Sequence, residues 1–403
     1  MTPHSTGTPP PRVKQRGEHS PASSVASNRP VKVVHLVKGL NRGGAETLLA
    51  EGLRVADRDR FHFGYAYFLE SLSDVAVDLR ALRADVHCFG TPNAAAMLAS
   101  TSRVARYLRN ERADVVHAHL PLVGVVARMA GRVAGVPVIY SEHNVIEPYH
   151  PLTRFASWAT WGLQDLVVAV SPDVATSAHR HGGDRAPVRV VMNGIDTDRF
   201  DRSLVDGLAC RRDLSIPPMA PVVGTVAGFR PQKRLDVWLE AARRICESIP
   251  GARFVVVGDG ELRPDIERNI GRLGLGGAVR LVGKQTDVRP YLAAMDVFMM
   301  SSEYEGFGLA PVEAMSMEVP VVTTDVPGVR NVVRSGEGGE RVASGGGAAG
   351  RLAAAAVELL RAPGRRAEQG RAARALAVRE YGLARMQREL ERAYTDVLTD
   401  RSS

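Results

Sequence analysis

Glu305 and Glu313 stand on either side of a Gly-Phe-Gly turn in the stretch SSEYEGFGLAPVEAMSMEVPVV, residues 301–322. The run MDVFMMSS reads as a strand, and LAPVEAMSM has helical spacing. Gly306 and Gly308 allow a tight turn between them, and Pro311 is tolerated in the first turn of a helix. A helix that begins near Phe307–Leu309 offers free main-chain N–H groups and the positive end of its dipole. Together these bind an anion such as a phosphate. Glu313, about one turn in, can accept two hydroxyl hydrogen bonds, which suits a ribose diol. Glu305 faces whatever lies beyond the phosphate. Taken alone, the two carboxylates could equally serve only to favour the helix N-terminus electrostatically.

Other polar residues sit at similar strand ends. His143 closes PVIYSEH, and His117 and His119 lie in DVVHAH. Alternation along a strand predicts that only one of His117 and His119 faces the ligand side, with His119 nearer the strand end. No third ligand stands near them in sequence, so no zinc site is expected. Asp196 and Asp198 form a D-x-D, but they follow Asn-Gly, where aspartate is a common turn residue. No metal is expected there either. Gly258-Asp259-Gly260 is a strand-end turn without the full spacing of a dinucleotide fingerprint.

The elements that must position these groups are legible in the apolar runs. Residues 31–37, 61–69, 85–90, 114–119, 137–143, 166–171 and 188–193 read as buried strands, separated by segments of helical spacing. Such continuous runs suit a parallel sheet covered on both faces. The pattern weakens through 201–220, which ends near Pro217-Pro218, and resumes at 221–228, 253–258, 279–283, 297–302 and 320–325. The expected organisation is a disordered Pro- and Ser-rich tail over 1–30, with no signal peptide, then a domain over 31–200 and a linker over 201–220. A second domain follows over 221–375, and a C-terminal helix over 376–403 can pack back on the first. Two doubly wound α/β domains imply a cleft lined by the carboxyl ends of their strands.

Composition excludes several function classes. No run of 18 apolar residues appears, so no helical span is expected. Cys88, Cys210 and Cys246 form neither a CxxC pair nor a disulfide framework, which fits a reducing cytosol. The net charge of +8 is confined to the ends: residues 1–30 carry +3 and residues 361–392 carry +5, leaving the body neutral. That distribution argues against a nucleic-acid partner. It suits a solvated C-terminal face or contact with an anionic membrane surface.

The stretch E-G-F-G-L-x-x-x-E, with Ser-Ser before it, resembles the E-x7-E motif of retaining GT-B glycosyltransferases of family 4. GGAETLL, VMNGIDTDRF, GFRPQKRLDVWLEAA, VVVGDGELRPDIE and LVGKQTDVRPYLAAMDVFMMSSEYEGFGL resemble that family's segments in order, over nearly the whole chain from residue 31. The resemblance implies two Rossmann-like domains and a nucleotide-sugar in the cleft, the donor being a UDP- or GDP-sugar. By it, Glu313 holds the ribose, Glu305 contacts the sugar hydroxyls, and Phe307, Gly308 and Leu309 supply main-chain donors to the diphosphate. Lys233 and Arg230 carry charge for the leaving phosphates, and the helix opened by Gly43 and Gly44 caps the diphosphate from the first domain. It places Gly258 in the donor site, Lys284 and Gln285 by the base, His143 on the sugar's 6-hydroxyl and His119 on the acceptor side. It also implies retention of configuration with neither metal nor cofactor.

The chain departs from that pattern at Gly228, where arginine is common, at Glu318 and Pro327, where glycine is common, and at Asn331, where glutamate is common. The alternatives are a sugar-nucleotide epimerase on the same fold and a non-catalytic nucleotide-sugar-binding protein. The expected acceptor is a hydroxyl on a glycan, a lipid-linked sugar or a small molecule, in polysaccharide or cell-envelope assembly. The expected setting is the cytoplasm or the inner face of the membrane.

Overall fold

The computed structural model describes residues 29–402 apart from Arg42, so the expected tail lies outside the described residues except for its last two positions. The first sheet has seven strands: β1 (Val31–Val37), β2 (Phe61–Tyr67), β3 (Asp85–Cys88), β4 (Val115–His119), β5 (Val138–Glu142), β6 (Leu166–Ala169) and β7 (Val188–Val190). They lie in the order β3-β2-β1-β4-β5-β6-β7, all parallel. The second sheet has six: β8 (Val222–Val226), β9 (Arg253–Val257), β10 (Val279–Gly283), β11 (Val297–Met300), β12 (Val321–Asp325) and β13 (Gly339–Ala343). Its order, again parallel, is β10-β9-β8-β11-β12-β13. Chain order reverses between β1 and β4 and again between β8 and β11, so each sheet opens a crevice at that switch point.

Both faces of each sheet are covered, as the unalternated runs require. Val33, Leu49 and Leu53 belong to one core of the first domain, and Val34, Val116 and Val126 to the other. In the second domain, Trp238 is fully buried and donates its indole N–H to the Met299 carbonyl at 2.8 Å. β13 lies at a sheet edge within the glycine-rich SGEGGERVASGGG, where the apolar signal is too weak to announce a strand.

Residues 201–220 are more than a linker. They hold a Gly207–Asp213 helix whose Arg211 donates to the Ala294 carbonyl at 2.9 Å and pairs with Asp296 at 3.0 Å. Ile216 joins the second domain's core. The weak periodicity reflects a short helix held by a buried arginine instead of an apolar stripe.

The return crossing lies at Tyr381–Gly382, beyond the 375/376 boundary read from the sequence. The Ile195 N–H donates to the Tyr381 carbonyl and the Leu383 N–H to the Ile195 carbonyl, both at 2.8 Å. A Cβ on Gly194 would meet the Gly382 carbonyl oxygen at 2.7 Å, so the two crossing strands of chain need glycine there. Beyond it the Leu383–Ser402 helix packs Met386, Ala393, Tyr394 and Val397 into the first domain's core.

Glu318 occupies the left-handed region at φ 58°. This explains why glycine suits that place, since a Cβ there costs about 1–2 kcal/mol. Glu318→Gly is expected to leave the second domain's melting point unchanged or raise it, by up to about 1 kcal/mol of stability, whereas Glu318→Val should lower it.

Candidate functional site

The turn after β11 brings the two domains together. The Leu309–Ser316 helix starts with Gly308 at φ 93°, and among the described residues the N–H groups of Phe307, Gly308 and Leu309 have no acceptor. The Phe307 ring is buried and meets Tyr381 edge-on at 5.6 Å, so the side chain anchors the turn while its backbone stays available. A Cβ on Gly306 would lie 1.7 Å from the His143 carbonyl oxygen of the first domain. Ser171 donates to the Gly306 carbonyl at 2.7 Å.

Lys233 and Glu305 form an ion pair at 2.5 Å, and Ser302 donates to the same carboxylate oxygen at 2.6 Å. Thus the charge expected on phosphates and the carboxylate expected on sugar hydroxyls hold each other in place. Ser301 fixes the 230–234 loop by donating to the carbonyls of Lys233 and Arg234 at 3.0 and 2.8 Å. The sequence displayed this Ser-Ser pair but gave no role for it. Arg230 is exposed, and its Nε lies 4.0 Å from the place a Cβ on Gly228 would take. The guanidinium thus folds back over the position that lacks an arginine.

Across the cleft, Gly43 caps the Gly44–Arg54 helix, and a Cβ on Gly44 would lie 3.1 Å from the Leu309 side chain. The Glu46 carboxylate folds back over this N-terminus, 2.5 Å from where a Gly43 Cβ would be. Burial pushes its carboxyl above the usual range, against its own main-chain N–H and the Arg230 charge. Burial likewise pushes Glu313 up to about 7, opposed by Arg199. Among the described residues the Glu313 carboxylate accepts no hydrogen bond, while Arg199 pairs with Glu51 at 3.1 Å. Arg199, in the segment VMNGIDTDRF, was not singled out from the sequence, although it links the helix of one domain to the carboxylate of the other.

The remaining donor candidates lie further out. Gly258, at φ 136°, ends β9 where a Cβ would meet the Ala227 carbonyl oxygen at 1.9 Å. It is a backbone-packing glycine behind the 227–234 loop. Lys284 and Gln285 follow β10; Lys284 reaches Asp74 of the first domain at 3.7 Å, and Gln285 donates to the Val282 carbonyl at 2.7 Å. Asp196 accepts the Arg199 N–H at 2.9 Å, which makes it a turn-former.

The histidines correct the sequence reading. His117 and His119 are two residues apart, so they share one face of β4, with ring centroids 4.3 Å apart. His35 arrives beside them because β1 pairs with β4 in the register His35–His117. His35 Nδ1 lies 3.0 Å from His119 Nε2, and His119 Nδ1 lies 3.0 Å from His143 Nε2. His117 is 2.8 Å from both the Tyr394 and the Ser141 hydroxyls. A third imidazole therefore does stand near His117 and His119, with nitrogens of the three rings within 4.8 Å. The nitrogens of His117 and His119 are all engaged with other rings and hydroxyls, an arrangement that satisfies them as a hydrogen-bonded row. This row floors a small cavity of about 40 Å³ walled by Leu48, Leu49, Met386 and Leu390.

Glu142, also missed, organises the loop that carries His143. It is buried and accepts from the Tyr140 and Tyr149 hydroxyls at 2.9 and 2.6 Å and from the N–H groups of His143 and Asn144 at 3.0 and 3.3 Å. The residue after His119 is strained: Leu120 has φ 75° and ψ 147°, a region that glycine alone enters readily.

Burial lowers His35 to about 3 and His143 to about 4, and drops His117 and His119 well below 6.5. Unfolded, each histidine binds its proton near 6.5, so the unfolded chain holds more protons as pH falls from 6.5 towards 4. Stability of the first domain should therefore fall in that window by up to about 1.4 kcal/mol per pH unit for each histidine. Denaturant midpoints at pH 7.5, 6 and 5 would check this. A flat profile would mean the row is protonated or hydrated in the fold.

Residues 32–199 match the family described as Glycosyltransferase Family 4, and residues 220–362 match the one described as Glycosyl transferases group 1. The chain is 30% identical, over 57% of its length and 62% of the relative's, to an Escherichia coli UDP-Gal:alpha-D-GlcNAc-diphosphoundecaprenol alpha-1,3-galactosyltransferase. It is 31% identical, over 64% and 65%, to D-inositol 3-phosphate glycosyltransferase 2 of Catenulispora acidiphila. It thus spans less than two thirds of the length of these relatives. Its fold is similar to that of Anabaena HepE, solved in complex with UDP and glucose, with a TM-score of 0.81 at 22% identity over 91% of this chain and 100% of the other.

Proposed function

The chain belongs to the family 4, group 1 glycosyltransferases on a GT-B fold, and from that premise we propose that it moves a sugar from a nucleotide-sugar to a hydroxyl acceptor in glycolipid or polysaccharide assembly. The observation that carries this is the unsatisfied helix N-terminus at Phe307–Leu309, flanked by Lys233 and faced by the Gly43–Gly44 helix start. A diphosphate lodged there accepts main-chain N–H groups from one domain and the dipole of the other. Arg230, folded over Gly228, supplies the guanidinium that stabilises charge on the departing phosphate. Glu313, with no hydrogen bond of its own, takes the ribose hydroxyls. The base is uracil in this reading, following the UDP-Gal in the name of the E. coli relative.

The proposed reaction retains the anomeric configuration and uses neither metal nor cofactor. The leaving phosphate assists removal of the acceptor proton, and the protein contributes positioning and electrostatics. Glu305, held by Lys233 and Ser302, keeps its second oxygen for the sugar. His143, neutral because buried, hydrogen-bonds the sugar from the opposite domain.

Thermal melting with UDP, GDP, ADP and dTDP tests the donor site. UDP at ~100 times its Kd should add about 2.7 kcal/mol, and the other nucleotides less. Glu313→Gln should cut that gain. Above pH 7 it should also raise ligand-free stability by about 1–2 kcal/mol, because it removes a carboxylate whose ionisation burial opposes. No response to any nucleotide would overturn the donor-site assignment.

Product analysis tests the chemistry. With UDP-sugar donors the product should keep the donor's anomeric configuration by NMR, and Glu305→Gln should lower kcat/KM by about 10²–10³-fold while UDP still raises its melting point. An inverted product would refute retention. Nucleotide binding without turnover would favour the non-catalytic alternative.

A further inference from the structure

The Pro151–Thr160 helix is packed inside out. Of its ten residues it buries only Ser157, and it turns Leu152, Phe155 and Trp158 to the surface at 73%, 66% and 49% exposure. These lie three apart, one stripe along the helix, and the Phe155 and Trp158 rings stack at 6.1 Å. The neighbouring Pro121–Ala134 helix continues the apolar surface with Met129 and Val133.

Beside this stripe the surface is cationic. Arg154 and Arg185 flank it, Arg185 lying over the Trp158 ring at 4.9 Å. Arg132 stands next to Val133, and the adjoining Thr101–Asn110 helix exposes Arg103, Arg106 and Arg109. Among the described residues none of these six arginines is in an ion pair; those with partners donate to carbonyls, as Arg103 does to Phe89 and Arg109 to Val133. The basic C-terminal stretch is different. There Arg365, Arg366, Arg374, Arg379 and Arg385 pair with carboxylates, while Arg361, Arg371, Arg388 and Arg392 are in no ion pair among the described residues. What sets the first-domain patch apart is that all six of its arginines lack a carboxylate partner and lie beside an exposed aromatic helix.

We propose that this helix and the arginines beside it are a docking surface for an anionic lipid bilayer. Aromatic and aliphatic groups enter the headgroup boundary while the guanidinium groups meet the lipid phosphates. The loop 143–150 leads from His143 to the start of this helix. A hydroxyl acceptor anchored in the same bilayer would thus be held on the acceptor side of the cleft. Binding to vesicles is read without donor or acceptor, so this surface stands or falls separately from the transfer reaction.

The tryptophans supply a direct test, since Trp161 and Trp238 are fully buried and only Trp158 is exposed. The full chain is floated with vesicles of phosphatidylglycerol and phosphatidylcholine, and with phosphatidylcholine alone. Tryptophan quenching by brominated lipid is recorded in parallel. The expected result is at least tenfold stronger binding to the anionic vesicles, weakened by salt, with quenching of Trp158. The triple change Leu152→Ser, Phe155→Ser, Trp158→Ser should reduce binding at least tenfold with melting unchanged. Absence of binding would overturn the proposal. So would binding that leaves Trp158 unquenched and survives the triple change, which would move the contact elsewhere. A concentration-dependent dimer that the triple change dissolves, without vesicle binding, would instead assign the face to a second copy of the chain.

Discussion

The close approach of Gly306 to the His143 carbonyl sets the geometry of the cleft. Any side chain at 306 would strike backbone of the other domain at 1.7 Å, and Ser171 locks the contact from the same side. Asp173 extends it, accepting from the Gly328 N–H at 2.8 Å and from Asn331 at 2.6 Å. This gives Asn331, one of the departures from the family pattern, a place at the domain junction. Because the contact is main chain against main chain, its position depends little on rotamers. The donors at Phe307–Leu309, the pair of Lys233 and Glu305, and the face of His143 are all fixed relative to it.

The site is organised around charges that the fold only partly satisfies. Lys233 and Glu305 neutralise each other, whereas Glu313 and Glu46 are held where burial opposes their ionisation. Such arrangements cost stability in the free protein, a cost that the hydroxyls and phosphates of the proposed nucleotide-sugar would offset. The histidine row works the other way. Its rings satisfy one another as neutral groups, so the floor that the histidine row forms in the first domain is polar but uncharged at neutral pH.

The C-terminal chain makes one body of two domains. The Pro363–Glu380 helix lies on the second domain, the chain crosses at Tyr381–Gly382 beside Ile195, and the Leu383–Ser402 helix completes the first domain's core. Tyr394 of that last helix reaches His117 at 2.8 Å, so the end of the sequence helps hold the histidine row. Any rocking of the domains must flex the paired crossings at 194–195 and 381–383.

Much was determined by local sequence. Unalternated apolar runs, most of them rich in β-branched residues, dictate buried parallel strands, and β1 to β12 follow from them. The Gly-Phe-Gly turn allows a helix start at Leu309, with Gly308 at φ 93° in the left-handed region. What tertiary structure alone decided are the relations between distant segments. The pairing of Lys233 with Glu305, the arrival of His35 beside His117 and His119, and the reach of Arg199 to Glu51 depend on strand order and domain packing. No window of sequence encodes these. The outward face of the Pro151–Thr160 helix belongs to the same class, since its apolar spacing reads as core until the fold shows which side the sheet takes. Spacing sets which residues share a face, and packing decides what that face meets.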